Sequence, residues 1–264
     1  MQAISIEIAQ PLLQRHFQAS QWHIARLTVG QQKACFVAHR GEQHVFIKLD
    51  VPIAALHRLG EIGVAPRVLA SGEFGGATYV IQEFIAGSYP DWQWLANNLP
   101  MLAGFIRSYH TDQPLTALLS RKATDNYTDH IALDISTLQQ QFRSLGSIEL
   151  HTHEVEAAFG RLKSWSKRLE PAILVPIYPD PNTKNILLCA DSLVMVDWGD
   201  MELSDPMRDA GLILWWYVLR HRWEEFFREY GLELDEDLIE RIFWWAARTS
   251  FAIALWHCEH GYDG

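Results

Sequence analysis

Ile177-Tyr178-Pro179-Asp180-Pro181-Asn182-Thr183-Lys184-Asn185-Ile186-Leu187-Leu188, followed by Val194-Met195-Val196-Asp197-Trp198-Gly199-Asp200, is the stretch that decides the fold. It holds an Asp, an Asn five residues on, and a second Asp closing an apolar hairpin whose turn is Cys189-Ala190-Asp191-Ser192. Phosphoryl transfer can use that arrangement directly. Asp180 could accept a hydroxyl proton, while Asn185, through its amide oxygen, and Asp197, a carboxylate, are hard ligands of the kind magnesium prefers. The bland reading is an Asx-rich loop, since Asp, Pro, Asn and Thr are common turn residues. Asp197 at the end of an apolar strand weighs against it, because an unpaired carboxylate there is costly.

C-terminal and N-terminal to this hairpin the pattern is helical, with stretches at about Leu99–His110, Ile131–Phe142, Val155–Leu169, Met207–Tyr230 and Leu238–His257. The first third reads instead as strands. His23–Leu27, Ala34–Ala38 and His44–Leu49 are short and rich in β-branched and aromatic residues, with Gly30-Gln31-Gln32 and the hairpin turn Arg40-Gly41-Glu42 between them. Asp50 can cap a helix carrying Leu56, Leu59 and Ile62 on one face, with Pro52 in its first turn and Gly63 as its stop. Val68–Ala70 and Thr78–Ile85 follow as strands joined by Ser71-Gly72-Glu73-Phe74-Gly75-Gly76. A boundary near residue 87 separates residues 1–86 from 87–264.

Composition narrows the function classes. The 264 residues are 48% hydrophobic and 20% charged, which excludes disordered, collagen-like and coiled-coil readings. The 32 acidic against 22 basic side chains give a net charge of -10 with no basic stripe, so a nucleic-acid partner is disfavoured and a cationic small molecule favoured. No apolar run approaches the roughly 20 residues of a membrane span, and the start lacks a secretory pattern, so no membrane association is expected and the expected location is the cytoplasm. Cys35, Cys189 and Cys258 form neither a disulfide framework nor a zinc ribbon. There is no G-x-x-x-x-G-K-[ST] loop and no G-x-G-x-x-G after a strand. His257-Cys258-Glu259-His260 and His151-Thr152-His153 lack a second ligand cluster and read as surface or capping histidines.

At Asp180, Asn185 and Asp197 the chain resembles the aminoglycoside phosphotransferase and choline kinase family of small-molecule kinases. The resemblance extends to Asp205-Pro206-Met207-Arg208-Asp209-Ala210, to Gly63-Val64-Ala65-Pro66-Arg67-Val68-Leu69 and to the hinge-like Gln82-Glu83-Phe84-Ile85-Ala86-Gly87, covering nearly the whole chain. It implies an α+β, two-lobed protein-kinase-like fold: an antiparallel five-stranded N-terminal nucleotide lobe with one helix, a mostly helical C-terminal catalytic and substrate lobe, and the nucleotide in the cleft. By the resemblance, Asp180 is the catalytic base, Asn185 and Asp197 are the metal ligands, and Lys48 contacts the phosphates. Gly30 lies in the phosphate-covering loop, and the backbone of Glu83, Phe84 and Ile85 meets the adenine. The strand pattern agrees for Lys48, since Val45, Ile47 and Leu49 share one face and Lys48 points the other way, beside Phe46. The implied cofactors are ATP, with GTP as the other candidate, and Mg2+. The implied activity is transfer of the γ-phosphate to a hydroxyl of a small cationic or polyhydroxylated substrate.

The chain also departs from the family. His-Gly-Asp is here Tyr178-Pro179-Asp180, the nucleotide loop has the single Gly30, and no Glu occurs between Lys48 and Glu61. Lys48 therefore either pairs with Glu61 or lacks the usual orienting carboxylate. These departures motivate the alternative of a catalytically weak or inactive kinase-like binding module. Asp205 reads as a helix cap and Asp209 as a structural hydrogen-bonding residue. The pairs Trp215-Trp216 and Trp244-Trp245 read first as packing residues and second as an aromatic wall for a cation, aided by Glu202, Glu224, Glu225, Glu259 or Asp263.

Overall fold

The computed structural model describes residues 6–18, 21–27, 35–120, 126–145, 152–169, 171, 173–190 and 192–261. In chain order its elements are α1 (Ile6–Phe17), β1 (His23–Leu27), β2 (Cys35–Arg40), β3 (Gln43–Leu49), α2 (Ile53–Glu61), β4 (Val68–Phe74) and β5 (Ala77–Glu83). Then come α3 (Trp92–Asn97), α4 (Leu99–His110), α5 (Gln113–Ser120), α6 (Tyr127–Ser144), α7 (His153–Ser166), β6 (Val175–Ile177), β7 (Ile186–Cys189) and β8 (Ser192–Met195). β9 (Glu202–Ser204), α8 (Ala210–Tyr217), α9 (Trp223–Tyr230) and α10 (Glu236–His260) complete the chain. Among the described residues no helix is long and apolar enough to cross a membrane.

Two compact units result. The first is the chain up to Asp91 together with Asp112–Leu118 and Asn182–Asp200; the second is Trp92–Thr111, Leu119–Pro181 and Met201 onward.

The first unit carries an antiparallel five-stranded sheet in the order β1-β2-β3-β5-β4. Alternation sends Phe36, Ala38, Val45, Ile47, Tyr79 and Ile81 into one core with Ala9, Leu12 and Leu13 of α1. The sequence pattern places no helix before His23, and Pro11 inside α1 is the physical reason, since proline reads as a breaker. The apolar face supplied by Leu12 and Leu13, each worth about 1.5–3 kcal/mol when buried, outweighs that cost. Asp50 is not the cap of α2. It has φ +54, its N–H donates to the Thr78 carbonyl, and Pro52 occupies the cap position without a side-chain bond. Gly63 does stop α2, at φ +79. β4 runs through Ser71–Phe74, leaving only Gly75 and Gly76 as its turn.

The β7–β8 hairpin is a separate two-stranded sheet that belongs to this unit and bonds to the segments flanking β4 and β5. Ser88 and Leu188 exchange both backbone hydrogen bonds, at 3.2 and 2.8 Å, and Met195 N–H donates to the Val64 carbonyl at 2.8 Å. Gly87 permits that approach, because a Cβ there would lie 3.0 Å from the Leu188 oxygen and 3.1 Å from Cys189 Sγ.

The second unit is helical apart from the β6–β9 pair. The expected helix Met207–Tyr230 is broken into a 3-10 turn at Pro206–Arg208, α8, a second turn at Arg220–Arg222, and α9. Asp209 caps α8 through its Oδ1 bond to Ala210 N–H at 2.6 Å, and α8 ends where Val218 becomes extended. Trp223 Nε1 donates to the Val218 carbonyl, so an indole rather than a polar or glycine stop closes that turn. The unbroken apolar run in the sequence hides the break.

Candidate active site

β3 places Lys48 on the sheet face opposite to the α1 core, directly across from Cys35 of β2 and Val80 of β5. The residue is only 6% exposed, and its ammonium sits 5.7 Å from the Phe46 ring centroid. An ammonium buried to this degree needs a partner. Nζ lies 2.9 Å from Asp197 Oδ1, a partner 149 residues away in sequence. Glu61, the only acidic residue of α2, bonds Arg58 Nη1 at 3.0 Å, and Arg58 in turn grips Asp112 with Nε and Nη2. Of the two expectations for Lys48, pairing with Glu61 is thus not realised.

Asp197 is held in place by its neighbours. Val196 N–H donates to the Asn185 carbonyl at 2.8 Å, which extends the β7–β8 ladder by one step and brings Asn185 and Asp197 to the same open end of the hairpin. Trp198, buried, donates Nε1 to the Met195 carbonyl at 2.7 Å. Between these anchors Asp197 adopts φ +68, a left-handed conformation that Asp tolerates better than most residues. Its side chain is 61% exposed, so the carboxylate is reachable from solvent even while Oδ1 holds Lys48. The residue types at this end of the hairpin, an Asn and an Asp, are oxygen donors of the kind that fits Mg2+, an ion bound through one or two carboxylates with phosphates completing its shell. Among the described residues no group of three or more His, Cys, Asp or Glu side chains could hold a metal ion without such help.

Asp180 follows β6 and belongs to the second unit. Its loop is anchored by a buried network centred on Asp209. Tyr178 N–H donates to Asp209 Oδ2 at 2.8 Å, Tyr109 Oη donates to the same oxygen at 2.9 Å, and His110 Nε2 lies 3.0 Å from Oδ1. His110 Nδ1 lies 2.6 Å from Tyr230 Oη, so the imidazole bridges the phenol and the carboxylate. Burial first, and the Asp209 charge second, push both the Tyr109 and Tyr230 phenols above their ordinary range, so both remain donors. Asp209 is therefore the structural residue expected, and it also fixes the backbone two residues before Asp180. Tyr109, His110 and Tyr230 belong to no local sequence motif that marks them as members of this network.

Glu83 N–H donates to the Arg67 carbonyl at 3.0 Å, so this amide is already committed, while Phe84 is exposed. Gly30 lies outside the described residues. Asp205 caps the Pro206–Arg208 turn through Met207 N–H, as expected, and is also ion-paired with Arg241 in the buried interior. His260 stacks on Trp256, consistent with a surface role. Trp244 and Trp245 are buried edge-to-face packing residues, whereas Trp215 is exposed. Among the candidate acids, Glu202 pairs with Arg208, Glu225 with Arg222, and Glu259 accepts from Gln141; Asp263 is outside the described residues.

The family model described as "Phosphotransferase enzyme family" matches residues 36–245. Among solved structures, spectinomycin phosphotransferase APH(9)-Ia, in complex with ADP and spectinomycin, is 15% identical with a TM-score of 0.72, covering 97% of this chain and 88% of that one. A choline/ethanolamine kinase family protein from Mesorhizobium loti is 19% identical with a TM-score of 0.63, covering 89% and 78%. Choline kinase from Streptococcus pneumoniae is 16% identical with a TM-score of 0.65, covering 98% and 93%. At these identities the likeness establishes the fold, which is the protein-kinase-like α+β fold expected from the sequence. The family match, spanning most of the chain, goes further: this protein belongs to the phosphotransferase enzyme family and is a phosphotransferase acting on an alcohol group.

Proposed function

We propose that the protein is an ATP-dependent small-molecule kinase that phosphorylates a hydroxyl of a small, cationic or polyhydroxylated compound in the cytoplasm. The observation that carries this reading is the contact between buried Lys48 and Asp197 at the end of the hairpin that also carries Asn185. A buried lysine held at a carboxylate, on a hairpin whose same end carries an Asn, is the set of residue types that a nucleoside triphosphate with its metal requires. The presence of ADP in the spectinomycin phosphotransferase structure is consistent with it.

In this reading residues 1–86 bind the nucleotide, and residues 87–264 supply catalysis and the acceptor site. Phe84 and Ile85 would contact the adenine through backbone groups, Glu83 through its carbonyl, and Gly30 would lie over the phosphates. Asp180 orients the acceptor hydroxyl and takes its proton as the hydroxyl oxygen bonds to the γ-phosphorus and the bond to the ADP oxygen breaks. Lys48 offsets phosphate charge. Asn185 and Asp197 would hold Mg2+, which when bound neutralises charge on the β- and γ-phosphates. Most of the rate enhancement is then positioning and electrostatics. The net charge of -10 favours cationic acceptors such as amino alcohols and aminoglycosides.

The second reading, a catalytically weak or inactive binding module, is favoured by one observation: α2 contributes no carboxylate to Lys48. Thermal unfolding with Mg2+ and ATP, GTP or neither separates nucleotide binding from its absence. A nucleotide at about 100 times its Kd adds roughly 2.7 kcal/mol. A Mg2+-dependent rise, followed by ADP release on adding hydroxylated amines and its loss in Asp180→Asn, supports the kinase. A rise with no turnover across that panel supports the inactive module, and no rise with any nucleotide overturns the kinase reading.

A further inference from the structure

Lys48 and Asp197 stand in an unequal partnership. The ammonium is buried and has lost most of its hydration, whereas the carboxylate is largely exposed. Asp197 is therefore indispensable to Lys48, and Lys48 is dispensable to Asp197. In a site with a helix carboxylate, that group would hold the lysine and leave the second Asp for metal. Here α2 reads Ile-Ala-Ala-Leu-His-Arg-Leu-Gly-Glu, buries Ala55, Leu56 and Leu59, and commits its only acid to Arg58. The left-handed backbone of Asp197, clamped by Val196 and Trp198 on either side, holds the carboxylate at the lysine.

We infer that Lys48 and the divalent cation compete for Asp197, so that the free protein is a poor metal binder and the metal enters only with phosphates that take over Lys48. This inference rests on the nucleotide reading above for its phosphates. The competition itself concerns two side chains whose contact is defined without any ligand. Bringing a dication to Asp197 while Oδ1 is neutralised by Lys48 sets two cations against one carboxylate, and the repulsion is screened only on the exposed side. Triphosphate oxygens reverse the balance by giving the ammonium a new anionic partner. By linkage, nucleotide then raises metal affinity and metal raises nucleotide affinity by the same factor.

The test titrates Mn2+ into nucleotide-free protein and follows the free ion by electron paramagnetic resonance. Wild type is expected to bind Mn2+ at least about tenfold more weakly than Lys48→Met, a difference of about 1.4 kcal/mol. The gain should vanish in Lys48→Met/Asp197→Asn, and Lys48→Gln should reproduce it if Met perturbs packing. Equal Mn2+ affinity in wild type and both Lys48 variants overturns the competition, as does the absence of Mn2+ binding from all of them. The failure of the nucleotide reading is seen separately, as the absence of a thermal shift of wild type with Mg2+ and ATP. A tighter Lys48→Met site would still establish the competition in that case.

Discussion

The backbone N–H of Tyr178 is bound by the Asp209 carboxylate at 2.8 Å, across 31 residues, and this bond ties the start of the loop carrying Asp180 to the cap of α8. Asp209 is fully buried and receives donors from Tyr178, Tyr109, His110 and Ala210, so its charge is solvated entirely by the protein. Asp209→Asn replaces one acceptor oxygen with an NH2 that faces those donors. We expect a loss of about 2–4 kcal/mol in urea unfolding. If the variant is saturated with nucleotide below its unfolding midpoint, kcat should fall more than KM rises, because the loop and not the nucleotide site is disturbed. A KM effect alone would show that Asp209 does not act through the Asp180 loop.

Gly87→Ala tests the docking of the hairpin. The added methyl would sit 3.0–3.1 Å from the Leu188 oxygen, Cys189 Sγ and Leu187 Cβ, so β7 must move or the Ser88–Leu188 bridge must open. Overpacking of this kind costs about 1–3 kcal/mol. Because Asn185 and Asp197 ride on the same hairpin, Mg2+-dependent ATP binding should weaken together with stability. Hydrogen exchange at the Leu188 amide reads the local opening directly, and unchanged protection there would contradict the account.

How much of this was legible in the sequence follows from what each contact depends on. The spacing of Asp180, Asn185 and Asp197 is local and marks the hairpin, and the strands announce themselves by alternation and by turns such as Arg40-Gly41-Glu42. The partner of Lys48 is not local: nothing in a helix lacking acid says that a carboxylate 149 residues later will serve instead. The same holds for Arg58 with Asp112 and for His110 with Asp209, where two residues meet only because the chain returns. Local signals also misled where tertiary packing overrode them. Pro11 hid α1, and the continuous apolar run after Asp209 hid the end of α8 at Val218.

Acid sensitivity should centre on Asp112. Its hydrogen bonds with Arg58 hold this carboxyl below the ordinary Asp range despite opposing desolvation, with the Leu115 N–H assisting. A carboxyl whose folded pKa is depressed stabilises the fold above its unfolded pKa of about 3.9, and that contribution disappears as pH falls through the lower folded value. Asp112→Asn should therefore lower Tm at pH 7 and flatten the decline of Tm between about pH 5 and pH 3 relative to wild type. Parallel curves for the two proteins would show that the Arg58 pair contributes nothing to the acid limb.

The unequal exposure of Lys48 and Asp197 also predicts an asymmetric mutant cycle. Asp197→Asn leaves a buried ammonium facing a neutral amide, and should cost about 2–3 kcal/mol in the absence of ligands. Lys48→Met removes the buried charge and leaves an exposed carboxylate that water solvates, so its cost should stay within about 1 kcal/mol. The double variant should then be more stable than Asp197→Asn alone, with a coupling of about 1–3 kcal/mol. Asn tolerates the left-handed conformation at φ +68 about as well as Asp, so backbone strain cancels across the cycle and the coupling reports the pair itself. Equal losses for the two single variants, or simple additivity in the double, would mean that Lys48 is solvated by something other than Asp197, and the ordered entry of metal with nucleotide would lose its basis.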